Sequence, residues 1–201
     1  MLHSNPLEIS KVTYPWCFKD NIFNTEELTK IINFCDTLDK DTAKTLNSEK
    51  NVYKENKNVR ISEISWINLN LESQWFVNVI SNTIDYLNQS YYGYELNGFE
   101  PMQYAKYNSK DLGKYDYHMD MELGLSSDGF PLPRKLSSVL LLSDNFKGGE
   151  FEFGESFRGK NPALKPGTLI VFPSFMVHRV KPVVEGIRHS ITTWCVGPKF
   201  K

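Results

Sequence analysis

The chain has few of the residues that usually build a metal or disulfide framework: three cysteines and four histidines in 201 residues. Cys17, Cys35 and Cys195 are scattered and form no C-x-x-C pair. This spacing argues against a disulfide framework and against a structural zinc site. It favours buried, reduced thiols in a cytoplasmic protein.

Long apolar runs and an excess of charge of one sign are also missing. No apolar run reaches the length that spans a bilayer, and the N-terminal "MLHSNPLEIS" lacks the basic and apolar regions of a signal peptide. The formal net charge is −1, which gives no large electrostatic footprint for nucleic acid or an anionic membrane. We therefore expect a cytoplasmic protein with no membrane association and without nucleic acid as a partner.

What is present is typical of one globular unit. Hydrophobic residues make up 40% of the chain and aromatic residues 13%, enough for one well-packed domain. We expect residues 1–201 to form a single domain, with residues 1–90 as mainly helical support and residues 91–201 as a β-rich core.

Two amphipathic helices are predicted in the first half. "NTEELTKIINFCDTLDK" begins with Asn24 as an N-cap and has Glu27 three residues later, a capping-box pattern. Residues 39–60 are polar and rich in Lys and Asn, which predicts an exposed loop. "LNLESQWFVNVISNTIDYLNQS" predicts a second helix. Its expected core stripe consists of Leu71, Trp75, Phe76, Val79, Ile80, Ile84 and Leu87.

The second half is a succession of short β-rich runs separated by Gly, Pro, Asn and Asp clusters. The runs are "YGYEL", "FEPMQYAKY", "YDYHMDM", "LSSVLLL", "GEFEFGE", "GTLIVFP", "HRVKPV" and "RHSITTWCV". No helical stretch separates them, so a parallel α/β sheet is disfavoured. The pattern predicts an all-β sandwich or barrel such as a jelly roll, and the fold class is therefore α+β.

The segment "KYDYHMDMELG" places His118 and Asp120 two positions apart. In a strand, residues i and i+2 share a face, so the two side chains point the same way and Met119 points opposite. Asp116 falls on the same face and is a competing ligand. A lone H-x-D is a weak signal, and a metal held only by this pair would be weakly bound.

The remaining histidines are the candidates for a third ligand. His3 lies near the terminus, His178 follows the apolar run "GTLIVFPSFMV", and His189 lies in "EGIRHSITTW". Strand alternation puts His189 on the face opposite Arg188 and Ser190, so His178 is favoured. Two histidines and one carboxylate with open positions form the facial triad of non-haem Fe(II) oxygenases.

Arg188 and Ser190 suggest a second function for the same site. They share a predicted strand face with Thr192 and Trp194, and Arg188 lies ten residues beyond His178. A guanidinium matches a carboxylate bidentately, so this pair could grip a dicarboxylate near the metal. The alternative is that Arg188 is a surface partner of Glu185.

This order of motifs resembles the 2-oxoglutarate/Fe(II)-dependent dioxygenases, and most closely their prolyl 4-hydroxylase-like branch. The motifs are H-x-D, a distant His and R-x-S, together with "MQYAKYNSKDLGKYDYHMD", "LLLSDNFKGGEFEF" and "LKPGTLIVFPSFMVHRVKPVVEGIRHSITTW". They span roughly residues 99–197, about half of the chain. The run "SSVLLLSDN" departs from the branch, because some members have a cosubstrate-binding tyrosine there.

The resemblance implies a jelly-roll (double-stranded β-helix) hydroxylase that uses Fe(II), 2-oxoglutarate and O₂, with ascorbate as a supporting reductant. It implies His118, Asp120 and His178 as metal ligands, Arg188 and Ser190 at the distal carboxylate of 2-oxoglutarate, and Tyr107 and Tyr115 in the cosubstrate pocket. The first substrate expected is a prolyl residue in a peptide or protein.

Other readings of the same residues stay open at this point. The chain could be a jelly-roll binding module without turnover, or an oxygenase acting on a small molecule or a nucleobase. Tyr107 could serve only sheet packing, while Phe151 and Phe153 are expected in the core. Residues 124–134 could be a lid over the substrate or only a long connection.

Overall fold

A computed structural model describes residues 14–43, 45–47, 52–121, 132–154 and 160–198. Within these ranges the helices are α1 (Thr25–Asp36) and α2 (Gln74–Leu87), a π-helical turn (Asn88–Tyr92) and a 3₁₀ turn (Ser109–Asp111). The strands are β1 (Cys17–Lys19), β2 (Asp41–Thr42), β3 (Thr45–Asn47), β4 (Val52–Lys54), β5 (Arg60–Ile61), β6 (Glu63–Ile67), β7 (Gly98–Phe99), β8 (Met102–Asn108), β9 (Lys114–His118), β10 (Arg134–Leu141), β11 (Phe146–Gly148), β12 (Phe151–Phe153), β13 (Leu169–Pro173), β14 (His178–Val180) and β15 (Val183–Val196).

The strands form two larger antiparallel sheets and one hairpin. The major sheet has the order β1-β13-β10-β15-β8-β6-β2, with β7 and β11 also paired to β15. The minor sheet has the order β12-β14-β9-β5, and β3 pairs with β4. These two sheets, with helices added to one of them, confirm the predicted α+β class with a jelly-roll core.

Helix α1 forms as its sequence predicts. The backbone N–H of Glu27 donates to Oδ1 of Asn24 at 3.0 Å, and the backbone N–H of Asn24 donates to Oε2 of Glu27 at 2.8 Å. This reciprocal pair is a capping box, and it satisfies two amides that would otherwise lack partners. Leu28, Ile31 and Cys35 then face inward.

Helix α2 confirms four of its seven predicted core residues: Phe76, Ile80, Ile84 and Leu87. The other three are wrong, because the helix begins only at Gln74 and its inward face is rotated from the expected one. Leu71 precedes the helix and is 92% exposed, and Trp75 and Val79 lie at the margin of the buried face. Val77 is buried instead.

The expected loop over residues 39–60 is wrong in part, since β2, β3, β4 and β5 lie within it. β2 extends the major sheet beside β6, and β5 extends the minor sheet beside β9. Edge strands as short as these are defined by backbone hydrogen bonds to a neighbour, so an apolar pattern is not needed. In contrast, residues 92–96 ("YGYEL") contribute no strand.

The major sheet is buried on both faces. One face packs against α1 and α2 through a cluster that includes Ile31, Phe76, Leu140 and Ile191. The other face meets the minor sheet through a second cluster. This second cluster includes Ile64, Tyr107, Val139, Phe151 and Phe172. The candidate site lies in this inter-sheet layer.

In the described part of the chain, none of the helices combines the length and the apolar character needed to cross a membrane.

Candidate metal centre and carboxylate pocket

His118, Asp120 and His178 come together between the two sheets. His118 ends β9 and pairs in register with His178, the first residue of β14. Asp120 follows β9, where its backbone N–H donates to the carbonyl of Ser174 at 3.1 Å. One ligand atom from each of the three side chains lies within 4.8 Å of the others.

The two imidazoles are oriented by backbone carbonyls. Nδ1 of His118 lies 2.8 Å from the carbonyl oxygen of Asp116, and Nδ1 of His178 lies 2.9 Å from that of Met176. Because a carbonyl only accepts, each Nδ1 carries the proton and each Nε2 presents a lone pair. Each Nε2 lies 3.5 Å from a carboxylate oxygen of Asp120. Hydrogen bonds from Nδ1 to backbone carbonyls orient the imidazole rings so that both Nε2 atoms are available to a metal.

Asp120 is buried, and its Oδ2 has no hydrogen-bond partner among the described residues. Burial alone would raise the pKa of this carboxyl, but His178, His118 and the hydroxyl of Ser137 together hold its pKa well below the usual range. Burial lowers the pKa of His178 to about 4, with Asp120 opposing and His118 adding to that effect.

These observations fit a divalent cation. Three electron-rich atoms converge in a buried place, and one carboxylate oxygen there lacks a partner, so a cation would remove their mutual repulsion. A set of two imidazoles and one carboxylate is the donor set suited to Fe(II).

The two competing ligands lie elsewhere. The carboxylate of Asp116 is half exposed and accepts from Nζ of Lys114 at 2.8 Å. His189 faces the helical side of the major sheet, where its Nδ1 lies 2.7 Å from the hydroxyl of Tyr104. The predicted alternation along β15 is therefore correct.

Arg188 occupies the other end of the same cavity and is 1% exposed. Its Nη1 donates to the hydroxyl of Ser190 at 2.9 Å, and its guanidinium lies 5.5 Å from the centre of the Tyr107 ring. Burial lowers the pKa of this guanidinium, and Tyr107 opposes that effect. Among the described residues no carboxylate pairs with Arg188, and Glu185 pairs with Lys147 instead. Several N–H donors thus stay free for an incoming carboxylate.

The two predicted tyrosines line this cavity. The Tyr115 ring stacks on the imidazole of His118 with centroids 3.5 Å apart and planes 11° apart. Burial raises the pKa of Tyr115 to about 12. Tyr107 is buried between Arg188 and the inter-sheet core. Val139 of β10 also lines the cavity, on the strand where some members of the branch carry a tyrosine.

Other cavity residues were not predicted, above all Arg60 and Gln103. Nη2 of Arg60 donates to Oε1 of Gln103 at 2.7 Å, and the guanidinium lies 4.5 Å from the Tyr115 ring centre. Arg60 is buried although it ends a polar stretch. Its place at the start of the run "RISEISWI" is the only signal that could have indicated this.

Two predictions remain, one on the phenylalanines of β12 and one on the segment 124–134, and the structure tests only the first. Phe151 and Phe153 are buried as expected, and the Phe151 ring stacks on that of His178 with centroids 5.4 Å apart. Most of the segment 124–134, the candidate lid, lies outside the described residues, as does His3.

Comparisons of sequence find relatives among bacterial hydroxylases. The chain is 32% identical over 98 residues to a PKHD-type hydroxylase of Shewanella oneidensis, which covers 48% of this chain and 42% of that protein. It is 33% identical over 84 residues to one of Teredinibacter turnerae, covering 41% and 37%. The chain thus matches less than half the length of these curated relatives. No protein-family model matches the chain.

Comparisons of structure extend the likeness to almost the whole chain. A Pseudomonas putida prolyl-4-hydroxylase superposes with a TM-score of 0.68 at 19% identity, covering 93% of this chain and 95% of that one. A viral collagen prolyl hydroxylase of Paramecium bursaria Chlorella virus-1, solved with 2-oxoglutarate, gives 0.66 at 19%, covering 92% and 97%. A Trichoplax adhaerens prolyl hydroxylase, solved with a hypoxia-inducible-factor peptide, gives 0.68 at 19%, covering 92% and 84%. At 19% identity these structures by themselves show a shared fold. Together with the sequence relatives, they confirm the predicted resemblance to the 2-oxoglutarate/Fe(II)-dependent dioxygenases and their prolyl 4-hydroxylase-like branch.

Proposed function

We propose that this protein is an Fe(II)- and 2-oxoglutarate-dependent dioxygenase that hydroxylates a C–H bond. One observation carries the proposal: a largely buried His-Asp-His set faces the same cavity as a buried arginine, Arg188, which has no carboxylate partner among the described residues. When bound, Fe(II) would supply activation of O₂ coupled to oxidative decarboxylation of 2-oxoglutarate. The chain's own residues supply binding, orientation and exclusion of water.

The division of labour among the residues follows from their positions. His118, Asp120 and His178 would hold the metal through Nε2, a carboxylate oxygen and Nε2, with the imidazoles fixed by their backbone acceptors. Arg188 would bind the distal carboxylate of 2-oxoglutarate through paired N–H donors, and Ser190 would hold the guanidinium in place. Tyr107 would form the wall beside this carboxylate, and Tyr115 would hold His118 by stacking.

The cavity also suits a reaction from which water must be excluded. Val139, Phe151 and Val180 supply apolar walls, which exclude water and strengthen each charged contact inside. A positioned cosubstrate in such a pocket lowers the entropic cost of reaching the reactive geometry.

The first substrate class we propose is a prolyl residue in a peptide or protein. Support comes from the neighbours named above, since two are prolyl hydroxylases solved with a peptide or with 2-oxoglutarate. The intact ligand set and Arg188 count against a binding module without turnover.

Succinate release tests the proposal. The protein is incubated with Fe(II), ascorbate and 2-oxoglutarate, with and without prolyl peptides, and succinate is measured. We expect succinate above the protein-free rate and a further increase with a substrate. If there is no succinate and no anaerobic binding of 2-oxoglutarate, the proposal fails.

A further inference from the structure

Arg60 is a second buried guanidinium in the candidate metal cavity, and no described carboxylate pairs with it there. It is 7% exposed and lines the same cavity as Arg188, the other buried arginine. Its Nε donates to the hydroxyl of Ser62 at 2.9 Å and its Nη2 to Gln103 at 2.7 Å. These two neutral acceptors use two of five N–H donors and leave the charge uncompensated.

Two other arginines, Arg134 and Arg179, show how a guanidinium is paired with a carboxylate in this protein. Arg134 donates to both carboxylate oxygens of Glu100, at 2.8 and 2.6 Å. Arg179 donates twice to the carboxylate of Glu152, at 3.0 and 2.7 Å. Arg60 has no ion pair within the described residues, although burying an unpaired charge is costly.

The sum of the charges in the cavity also indicates that the charge of Arg60 is not compensated. Its described lining contains two guanidiniums and one carboxylate, that of Asp120. A divalent metal would add two positive charges, and a dicarboxylate bound at Arg188 would remove two. One positive charge then remains, and it lies on Arg60.

The position of Arg60 places this charge next to the reacting centre. Its guanidinium lies 4.5 Å from the centre of the Tyr115 ring, and this ring stacks at 3.5 Å on the metal-site imidazole of His118. Arg60 also lines a polar cleft outside the cavity. Arg60 therefore borders both the cavity and a surface cleft.

We infer that Arg60 binds an anionic group of the substrate, a carboxylate close to the carbon that is oxidised. This inference rests on the proposed function and narrows its substrate class. Two sources offer the same chemistry: the α-carboxylate of a free amino acid, and an acidic residue or C-terminus beside the target residue of a peptide. Gln103 and Ser62 hold the guanidinium so that its remaining donors face the ligand.

Matched acid and amide probes test the inference. Calorimetry under anaerobic conditions measures binding to the protein loaded with Fe(II) and 2-oxoglutarate. One set contains free amino acids and their amides, including proline and prolinamide. The other contains N-acetyl-glutamyl-prolyl-glycinamide and its glutaminyl counterpart. We expect at least one acid to bind about ten-fold or more tightly than its amide, as a charge-assisted contact requires. The set that discriminates identifies the source.

Variants then assign the preference to Arg60. In Arg60→Gln the preference for the acid should disappear, and in Arg60→Lys, which keeps the charge, it should persist in part. Lys147→Gln removes an exposed cation that does not line the cavity and should behave as wild type. Should Arg60→Gln fail to fold, Arg60→Lys and the wild-type acid and amide comparison still decide.

Three results would overturn the inference. One is the absence of any acid preference in wild type, and another is its persistence in Arg60→Gln. The third is a loss of 2-oxoglutarate affinity in Arg60→Gln as large as in Arg188→Gln, which would assign Arg60 to the cosubstrate. Each leaves the proposed function standing. Failure of wild type to bind 2-oxoglutarate would instead contradict the proposed function.

Discussion

Each residue of the candidate metal centre has a neighbour that fixes its state. The carbonyls of Asp116 and Met176 set the histidine tautomers. Burial favours a protonated Asp120, but the two imidazoles and the hydroxyl of Ser137 hold its pKa low and keep it ionised. The side chains of His118, Asp120 and His178 are therefore preorganised before a metal arrives. A site built in this way should lose the metal when one ligand is removed, while the fold survives.

Asp120→Ala tests this at the residue scale. We expect the variant to lose Fe(II) on gel filtration and to show no turnover, while its circular dichroism remains that of wild type. Asp116→Ala is the matched control, since its carboxylate lies on the same segment but is half exposed and paired with Lys114. Equal metal content in the two variants would mean that the ligand set is wrong.

Arg188→Gln tests the carboxylate end of the cavity. Removing a fully buried charge partner should weaken 2-oxoglutarate binding by about 2–5 kcal/mol, measured anaerobically by calorimetry on metal-loaded protein. Ser190→Ala removes only one neutral hydrogen bond to the guanidinium and should cost about 1 kcal/mol. Unchanged affinity in Arg188→Gln would show that another residue binds the cosubstrate.

The sequence could predict these residues because their spacing is local. His118 and Asp120 are two positions apart, the first at the end of β9 and the second just beyond it. Arg188 and Ser190 share one face of β15, and alternation alone separates Arg188 from His189. Arg60 could not be predicted in this way. Its burial depends on β5 crossing from the minor sheet toward β6 in the major sheet, and such a crossing leaves no pattern in a polar stretch.

At the scale of single elements, capping and burial decide which predictions succeed. The two residues of the α1 capping box, Asn24 and Glu27, are three positions apart in the sequence, and the helix begins where this pattern indicates. The predicted core stripe of α2 begins several residues before the helix does, so it includes the exposed Leu71 and omits the buried Val77.

The capping box gives a prediction of modest size. Asn24→Ala leaves the backbone amide of Glu27 without its acceptor, so the free energy of unfolding should fall by about 1 kcal/mol. Urea denaturation followed by circular dichroism measures this. No change would mean that water replaces the cap without cost.

The core of α2 gives a prediction of a larger change in the free energy of unfolding. Phe76 is fully buried and contacts the rings of Phe34 and Trp75. Phe76→Ala should lower the free energy of unfolding by about 3–5 kcal/mol, whereas Leu71→Ala, at an exposed position, should change it by less than about 0.5 kcal/mol. Similar losses in both variants would contradict the observed helix face.

At the scale of the whole molecule, the two faces of the major sheet have different tasks. The cavity face carries Arg188 and Ser190, and the opposite face carries His189 and Tyr104. The hydroxyl of Tyr104 donates to Asp36 at 2.9 Å, where α1 ends, and Lys106 pairs with the same carboxylate. The sequence predicted helices and a β core but could not show this junction, because its members are far apart in the chain. The division at residue 90 stays a prediction.

This junction makes stability depend on pH. Burial lowers the pKa of His189, Lys106 adds to this, and Asp36 opposes it. The folded protein therefore holds His189 neutral. The contribution of neutral His189 to the free energy of unfolding is lost as the pH falls below the pKa of an unfolded histidine, about 6.5. Melting temperatures of metal-loaded protein between about pH 7.5 and 5.5 should fall less steeply in His189→Gln than in wild type. Identical slopes would rule out this role.

The most direct test is a structure from crystals grown anaerobically with Fe(II) and 2-oxoglutarate. We expect anomalous density for iron in contact with Nε2 of His118, a carboxylate oxygen of Asp120 and Nε2 of His178, with the distal carboxylate of 2-oxoglutarate on Arg188. Iron bound away from these three residues, or a distal carboxylate bound to Arg60 instead of Arg188, would contradict the proposed site.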